Sequence, residues 1–175
     1  DHLDYHGSFK EYIKAKKGFF DALPTGAFAL TNVDDKNGNI MLQNTLAHKY
    51  GYALKTPTDF KAKIIDNQFS GLVLNVDGNE LWTKLIGAFN AYNLLAIYGV
   101  GILLGQDKIE ILTVLSSLES VVGRFQQIRS TTGITAIVDY AHTPDALENV
   151  LQTISSIRTK NENVFTVIGC GGDRD

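Results

Sequence analysis

Residues Asp139 to Glu148 read Asp-Tyr-Ala-His-Thr-Pro-Asp-Ala-Leu-Glu, and what flanks them decides the fold. Upstream lies a short apolar run, Thr135-Ala136-Ile137-Val138, partly β-branched and uncharged, which predicts a buried strand. Downstream, Leu147, Val150, Leu151, Ile154 and Ile157 recur at the helical period. Thr143 followed by Pro144 is a helix start: a hydroxyl to cap free amides, then a ring whose fixed φ suits the first helical position. A polar break from Thr159 to Asn163 leads to a second apolar run, Val164 to Ile168, and then to Gly169-Cys170-Gly171-Gly172-Asp173-Arg174-Asp175. Strand, helix and strand in this order predict a crossover with parallel strands. The polar clusters Asp139–His142 and Gly169–Asp175 then fall at the carboxyl ends of strands, where open α/β sheets bind ligands. Each cluster alone reads as an ordinary turn; two at one edge point to a site.

Composition narrows the classes. The 175 residues are 44% hydrophobic, enough to bury a sizeable core in one or two domains. A formal net charge of −3 argues against general binding to nucleic acid or to an anionic membrane. Cys170 is the sole cysteine, which excludes an intrachain disulfide and fits a reducing compartment. The chain opens on Asp-His-Leu-Asp, without methionine or a signal-peptide pattern, and stops in a polar loop, so it is expected to be a fragment cut at both ends. Leu85 to Gln106 carries no charge and is long enough to suggest a membrane span. Asn90, Asn93, Gln106 and the glycines at 87, 99, 101 and 105 instead predict a buried helix flanked by loops.

From the start of the chain, His2 and His6 are four apart and would share a helix face. The zinc-protease pattern needs glutamate directly after the first histidine, and Leu3 stands there, so polar surface is the plainer reading. Ser8 with Glu11 is a capping-box signature for a helix running to Phe20, basic at Lys14, Lys16 and Lys17. A strand at Phe28–Leu30, a short helix around Met41–Lys49 and a strand at Tyr52–Lys55 are expected next. Strands should fill Ile64 to Leu85, with a turn at Asp77-Gly78-Asn79. Asn90 and Asn93 lie one turn apart near the start of the apolar helix. One has an ordinary capping explanation; the pair offers amide donors and acceptors suited to a purine edge. A second helix, Ile109 to Leu118, precedes Gly123-Arg124-Phe125-Gln126. The turn to polar composition at Ser116-Ser117 places a domain boundary between Ser117 and Gly123, giving units 1–120 and 121–175. Arg124 just past it could close on a phosphate or carboxylate, or form an inter-domain salt bridge.

Taken in order, DHLDYHG, GAFNAYN, GRFQ, DYAHTPDALE and GCGGDRD resemble the motifs of the Mur ligases, most closely the branch that adds the third amino acid. The resemblance spans essentially the whole chain, with Ala22–Leu85 contributing least. It implies an α/β fold: part of a central mononucleotide-binding domain of P-loop type, then the start of a Rossmann-like C-terminal domain. It also implies a cytoplasmic, ATP- and magnesium-dependent amide ligase of peptidoglycan synthesis. Such a ligase phosphorylates a carboxylate of UDP-N-acetylmuramoyl-dipeptide, and the amine of an incoming amino acid attacks the acyl phosphate. Magnesium and basic residues answer the crowded oxyanions, and water must be excluded. Diaminopimelate is the expected amino acid and lysine the alternative.

By the same resemblance, His2 would be a magnesium ligand and Lys16 the lysine that becomes carbamylated, with Lys14 and Lys17 as rivals. His6 is similar to a position near the UDP-muramoyl substrate. Asn90 and Asn93 match adenine-side asparagines, Arg124 an ATP-contacting arginine and Asp139 a ribose-binding carboxylate. His142 should lie near the nucleotide, and Asp173 and Arg174 should face the reaction centre. No Gly-x-x-x-x-Gly-Lys-[Ser/Thr] loop occurs in the chain; the family carries it upstream of the position of Asp1, and the amino acid-selecting region downstream of Asp175. The segment is therefore expected to be inactive alone. A folylpolyglutamate or cyanophycin synthetase, or a non-catalytic nucleotide-binding module, are the competing readings.

Overall fold

The computed structural model describes residues 8–159 and 161–169. Two sheets organise them: five strands in the order β1-β2-β3-β4-β5, and a two-stranded ribbon, β6-β7. The first sheet comprises β1 (Phe28–Asn32), β2 (His48–Ala53), β3 (Phe60–Gln68), β4 (Gly71–Val76) and β5 (Asn79–Thr83). β1 and β2 are parallel along their whole length, Phe28 opposite His48 and Asn32 opposite Tyr52. The connection between them carries one short helix, α2 (Gly38–Met41). β3 starts beside the end of β2, pairing Tyr52 with Phe60, and runs on past it, so a parallel pair forms here without a long return crossover. β3, β4 and β5 then form an antiparallel meander. Its last turn, Asp77-Gly78, has φ of 49° and 83°, the two left-handed residues that a two-residue hairpin of type I′ requires.

Helix α3 (Ala88–Leu103) lies across this sheet and makes the core, burying Ala91, Leu94, Leu95 and Tyr98 against Phe60, Leu72, Leu74, Val76 and Leu81. It is uncharged and packed into the core, the buried helix that the sequence predicts. Among the described residues no helix is long and apolar enough to cross a membrane. Gly99 allows the close approach: a β-carbon there would come within 3.0 Å of the Phe60 ring and 3.1 Å of Leu30. The buried Tyr98 hydroxyl donates to Asp77 Oδ2 at 2.7 Å, and Lys108 Nζ donates to the Asp77 carbonyl at 2.9 Å, so the strained turn is tied to two helices. Burial first, then the bond to Asp77, pushes the Tyr98 phenol far above its ordinary range. α4 (Lys108–Ser116) is capped by Asp107, whose Oδ1 accepts from the amides of Ile109 and Glu110. α1 (Phe9–Asp21) starts at Ser8, which accepts from the Glu11 amide at 3.2 Å.

Two expectations need correction here. The segment Met41–Lys49 is not a helix: α2 ends at Met41, and His48 and Lys49 already belong to β2, which ends at Ala53 rather than Lys55. Thr45 caps the Ala47 amide at 3.3 Å and turns the chain into the strand, and His48 and Lys49 pair with Phe28 and Ala29.

The second correction concerns the crossover. β7 (Thr135–Val138) and the helix α5 (Pro144–Ile157) form as expected, the helix capped by Thr143, which accepts from the Ala146 amide. The ladder partner of β7, however, is β6 (Gln126–Arg129), antiparallel, and Val164–Ile168 carries no strand. Nor is β7 buried; only Ile137 is partly covered. The physical reason is proximity: a tight loop closed by Ser130 N to Ile134 O at 2.8 Å, with Ser130 Oγ accepting from the Ile134 amide, brings β6 alongside. Val164–Ile168 meets no apolar layer among the described residues; Phe165 is 89% and Val167 96% exposed.

Candidate functional site

Asn90 and Asn93 sit on the first two turns of α3. Asn90 Nδ2 donates to the Ile86 carbonyl at 2.8 Å, and Asn93 Nδ2 donates to Asn90 Oδ1 at 3.3 Å. Asn93 Oδ1 accepts no hydrogen bond among the described residues, so the pair presents an amide edge that is half oriented and half open. The helix begins at Gly87, with φ of 94° and no side-chain cap; its amide donates instead to Asn67 Oδ1 at 3.0 Å. A β-carbon on Gly87 would stand 2.7 Å from the Phe89 ring and 2.8 Å from Thr153 of α5.

Arg124, Asp139 and His142 form a second group. Asp139, immediately after β7, uses both oxygens on backbone: Oδ2 accepts from the Phe125 amide and Oδ1 from the Ala141 amide, each at 2.7 Å. The Tyr140 amide donates to the Gly123 carbonyl at 2.8 Å. These bonds hold Phe125 in a left-handed conformation, φ 47°, that costs an ordinary residue about 1–2 kcal/mol. Phe125 is 2% exposed. The Arg124 guanidinium consequently lies over the Tyr140 ring, 5.2 Å from its centre, and His142 meets the same ring edge-on at 4.9 Å. His142 Nδ1 is 2.9 Å from the Tyr140 carbonyl. Arg124 makes no ion pair among the described residues.

The two groups meet through aromatic packing: Phe89, beside Asn90, stands edge-on to Phe125, with centroids 5.7 Å apart. Elsewhere the ribbon reaches the β3–β4 loop, where Arg129 Nη2 donates to the Phe69 carbonyl at 2.9 Å. Lys16 stands apart on α1, and no hydrogen bond or ion pair joins it to either group among the described residues. Its ammonium lies over the Tyr12 ring at 4.4 Å, while Lys14 pairs with Glu11 at 3.6 Å and Lys17 with Asp21. His2, His6, Asp173 and Arg174 lie outside the described residues. Among those described, no group of three or more histidine, cysteine or carboxylate side chains is placed to hold a metal ion.

Residue-by-residue reading of the sequence missed three groups that shape this edge. Tyr140 and Phe125 were inside quoted motifs, yet only the fold shows one to be the face beneath Arg124 and the other the link to α3. Asp34 is the third. It follows β1 by two residues and accepts from the amides of Leu54, Lys55 and Thr56, the Thr56 hydroxyl and the Tyr92 hydroxyl. Burial alone would raise its pKa. The Thr56 hydroxyl, the Lys55 and Leu54 amides and Tyr92 outweigh that and hold the carboxyl well below the usual range. Tyr92 is pushed up to about 12, by burial first and then by its bond to Asp34. A carboxylate just past a parallel strand was the available signal.

The α/β fold, a sheet with parallel strands followed by a second β-α unit, is the one that comparison with known proteins places. The chain belongs to the Mur ligase family. The family's middle domain matches residues 1–101, and its C-terminal domain, described as "Mur ligase, glutamate ligase domain", matches residues 123–175. Among curated relatives, the UDP-N-acetylmuramoyl-L-alanyl-D-glutamate--2,6-diaminopimelate ligase of Cytophaga hutchinsonii is 58% identical over 175 residues, and that of Parabacteroides distasonis 56%. Both alignments cover 100% of this chain but only 36% of the relative, so the chain spans little more than a third of their length. A solved structure of a ligase of the same description superposes with a TM-score of 0.74 at 33% identity, covering 100% of this chain and 37% of that one. The UDP-N-acetylmuramate-alanine ligase of Thermotoga maritima gives 0.71 at 25% identity, covering 90% of this chain and 36% of that one.

Proposed function

We propose that this chain is the nucleotide-side segment of an ATP-dependent ligase that joins diaminopimelate to UDP-N-acetylmuramoyl-L-alanyl-D-glutamate in the cytoplasm. The observation that carries the reading is the identity of 58% and 56%, unbroken over the whole chain, to relatives named for that reaction. The site geometry supports it. Asn90 and Asn93 supply an amide edge for adenine, and Asp139, although both oxygens already accept from backbone, keeps lone pairs for ribose hydroxyls. Arg124, with no carboxylate partner among the described residues, is available to phosphate oxygens, and His142 lines the same side. Bound ATP supplies the phosphoryl group that turns the peptide carboxylate into an acyl donor. The chain's own residues bind and orient it.

Lys16 is the better candidate for carbamylation on this geometry. Lys14 pairs with Glu11 and Lys17 with Asp21, whereas the Lys16 ammonium lies over the Tyr12 ring and makes no ion pair among the described residues. The carbamate would be repelled by that face and would swing toward a cation. Lys16 in that form and His2 would hold magnesium; His6 would face the UDP-muramoyl substrate, and Asp173 and Arg174 the reacting centre. The division at 1–120 and 121–175 fits the separate sheets on either side of it.

The test follows ADP release by the full-length protein that carries this segment, with UDP-muramoyl-dipeptide, magnesium and ATP. Release that depends on diaminopimelate is expected. Release with lysine alone would reassign the substrate, and release with neither would overturn the ligase reading. The 175-residue chain alone is expected to release none.

A further inference from the structure

Helix α3 lacks the device that normally sets a helix's rotation about its axis. An amphipathic helix is held by its apolar stripe, but α3 is apolar nearly all round: Phe89, Ile97 and Val100 are exposed while Leu94, Leu95 and Tyr98 are buried. Its start has no side-chain cap either. Polar anchors must therefore fix which way its first turns face. One is the Tyr92 hydroxyl, which donates to Asp34 Oδ2 at 2.9 Å across 58 positions of sequence. Asp34 is itself immobilised, since the amides of Leu54 (2.8 Å), Lys55 (3.0 Å) and Thr56 (2.9 Å) and the Thr56 hydroxyl (2.6 Å) all donate to it. Those donors follow β2, and Asp34 follows β1, so the anchor stands at the carboxyl edge of the parallel strands.

We propose that Tyr92 is a positioning residue for nucleotide binding: held by Asp34, it sets the rotation of the first turns of α3 and so aims Asn90 and Asn93. The proposal rests on the reading of those asparagines as the adenine side of the site. Tyr92 precedes Asn93 directly, about 100° away around the axis, so it faces the strand edge while Asn93 faces outward. Tyr98 holds the far part of the helix through Asp77, so removing the Tyr92 bond frees the early turns without releasing the core.

The experiment is a double-mutant cycle of Tyr92→Phe and Asn93→Ala in the full-length protein, reading KM for ATP, KM for the amino acid, and kcat. Tyr92→Phe removes one oxygen and is expected to raise KM for ATP roughly three- to tenfold, the scale of one hydrogen bond, with kcat and the amino acid KM within about twofold. Because Tyr92 acts through Asn93, the two substitutions together should raise KM for ATP by clearly less than the product of their separate effects. A full product, or equal changes in every constant, would overturn the positioning role. So would a normal KM for ATP in Tyr92→Phe while Asn93→Ala raises it, which leaves the asparagine reading standing. A normal KM in Asn93→Ala would remove that reading and the proposal together.

Discussion

The sheet β1–β5 and the β6–β7–α5 unit use the same vocabulary of apolar periodicity and end in different physical states. In the first, α3 covers the sheet and a continuous core forms, with Leu72, Leu74, Leu94, Leu95 and Tyr98 almost wholly withdrawn from water. In the second, α5 has a clear apolar stripe at Leu147, Val150, Leu151 and Ile154, yet none of its residues is fully buried. Phe125 is the exception at the boundary, and it is buried against Phe89 of α3. Periodicity states which face a segment can bury. Whether it does depends on a partner surface being present.

The largest expected effect measures that contrast directly. Leu94→Ala removes a side chain that is 1% exposed beneath the sheet and should cost about 3 kcal/mol, read as a lowered urea midpoint. Val150→Ala, on the half-exposed stripe of α5, should cost less than about 1 kcal/mol. Equal costs would mean that the two regions are packed alike.

Next in size is the clamp that Asp139 makes on backbone amides. Asp139→Ala strips the acceptor from the amides of Phe125 and Ala141 and leaves a left-handed phenylalanine unsupported, for a loss of about 1–3 kcal/mol. The loss should appear as a disturbed Phe89–Phe125 ring contact in side-chain spectra, with the amides of β4 still protected from exchange. Loss of β4 protection would show instead that the boundary residues hold up the main core.

What could be read from the chain follows the same line. Local signals were decisive where the physics is local: Ser8 and Thr143 cap their helices, and Asp77-Gly78 makes the hairpin turn. The β6–β7 pairing was not legible, because Val164–Ile168 offered a more apolar partner and nothing in the pattern said that a tight loop at Ser130–Ile134 would win. At the site, Asn90 and Asn93 were visible as a repeat of one residue type, and Arg124, Asp139 and His142 as motif members. Asp34 offered only its place just past a strand, since its bonds come from donors that follow β2 and from Tyr92, far away in sequence.

Asp34 gives a pH signature for the well-packed region. Its folded pKa is lowered, so the stability it lends is fully present above the unfolded value, near 3.9, and is lost as pH falls toward the much lower folded value. Stability of the wild-type chain should therefore fall with acid below about pH 4, and Asp34→Asn should flatten that slope while lowering stability at neutral pH. An unchanged slope would mean that the five bonds are not maintained in solution.

The smallest effect separates the regions most finely, because it applies the same chemistry to both. Asp107 and Thr143 each cap a helix, and replacing either with alanine should cost that helix about 1 kcal/mol. α4 buries Leu112 and Leu115 against the core, so its first turn cannot fray without disturbing the whole, and Asp107→Ala should lower the melting temperature. α5 buries none of its residues fully. Thr143→Ala should leave the melting temperature nearly unchanged while the amides of Ala146 and Leu147 exchange several-fold faster, the mark of local opening below the global transition. A shared fall in melting temperature would show that α5 is energetically part of the core. Its half-exposed stripe would then hold the site's Arg124 side as firmly as α3 holds the asparagines.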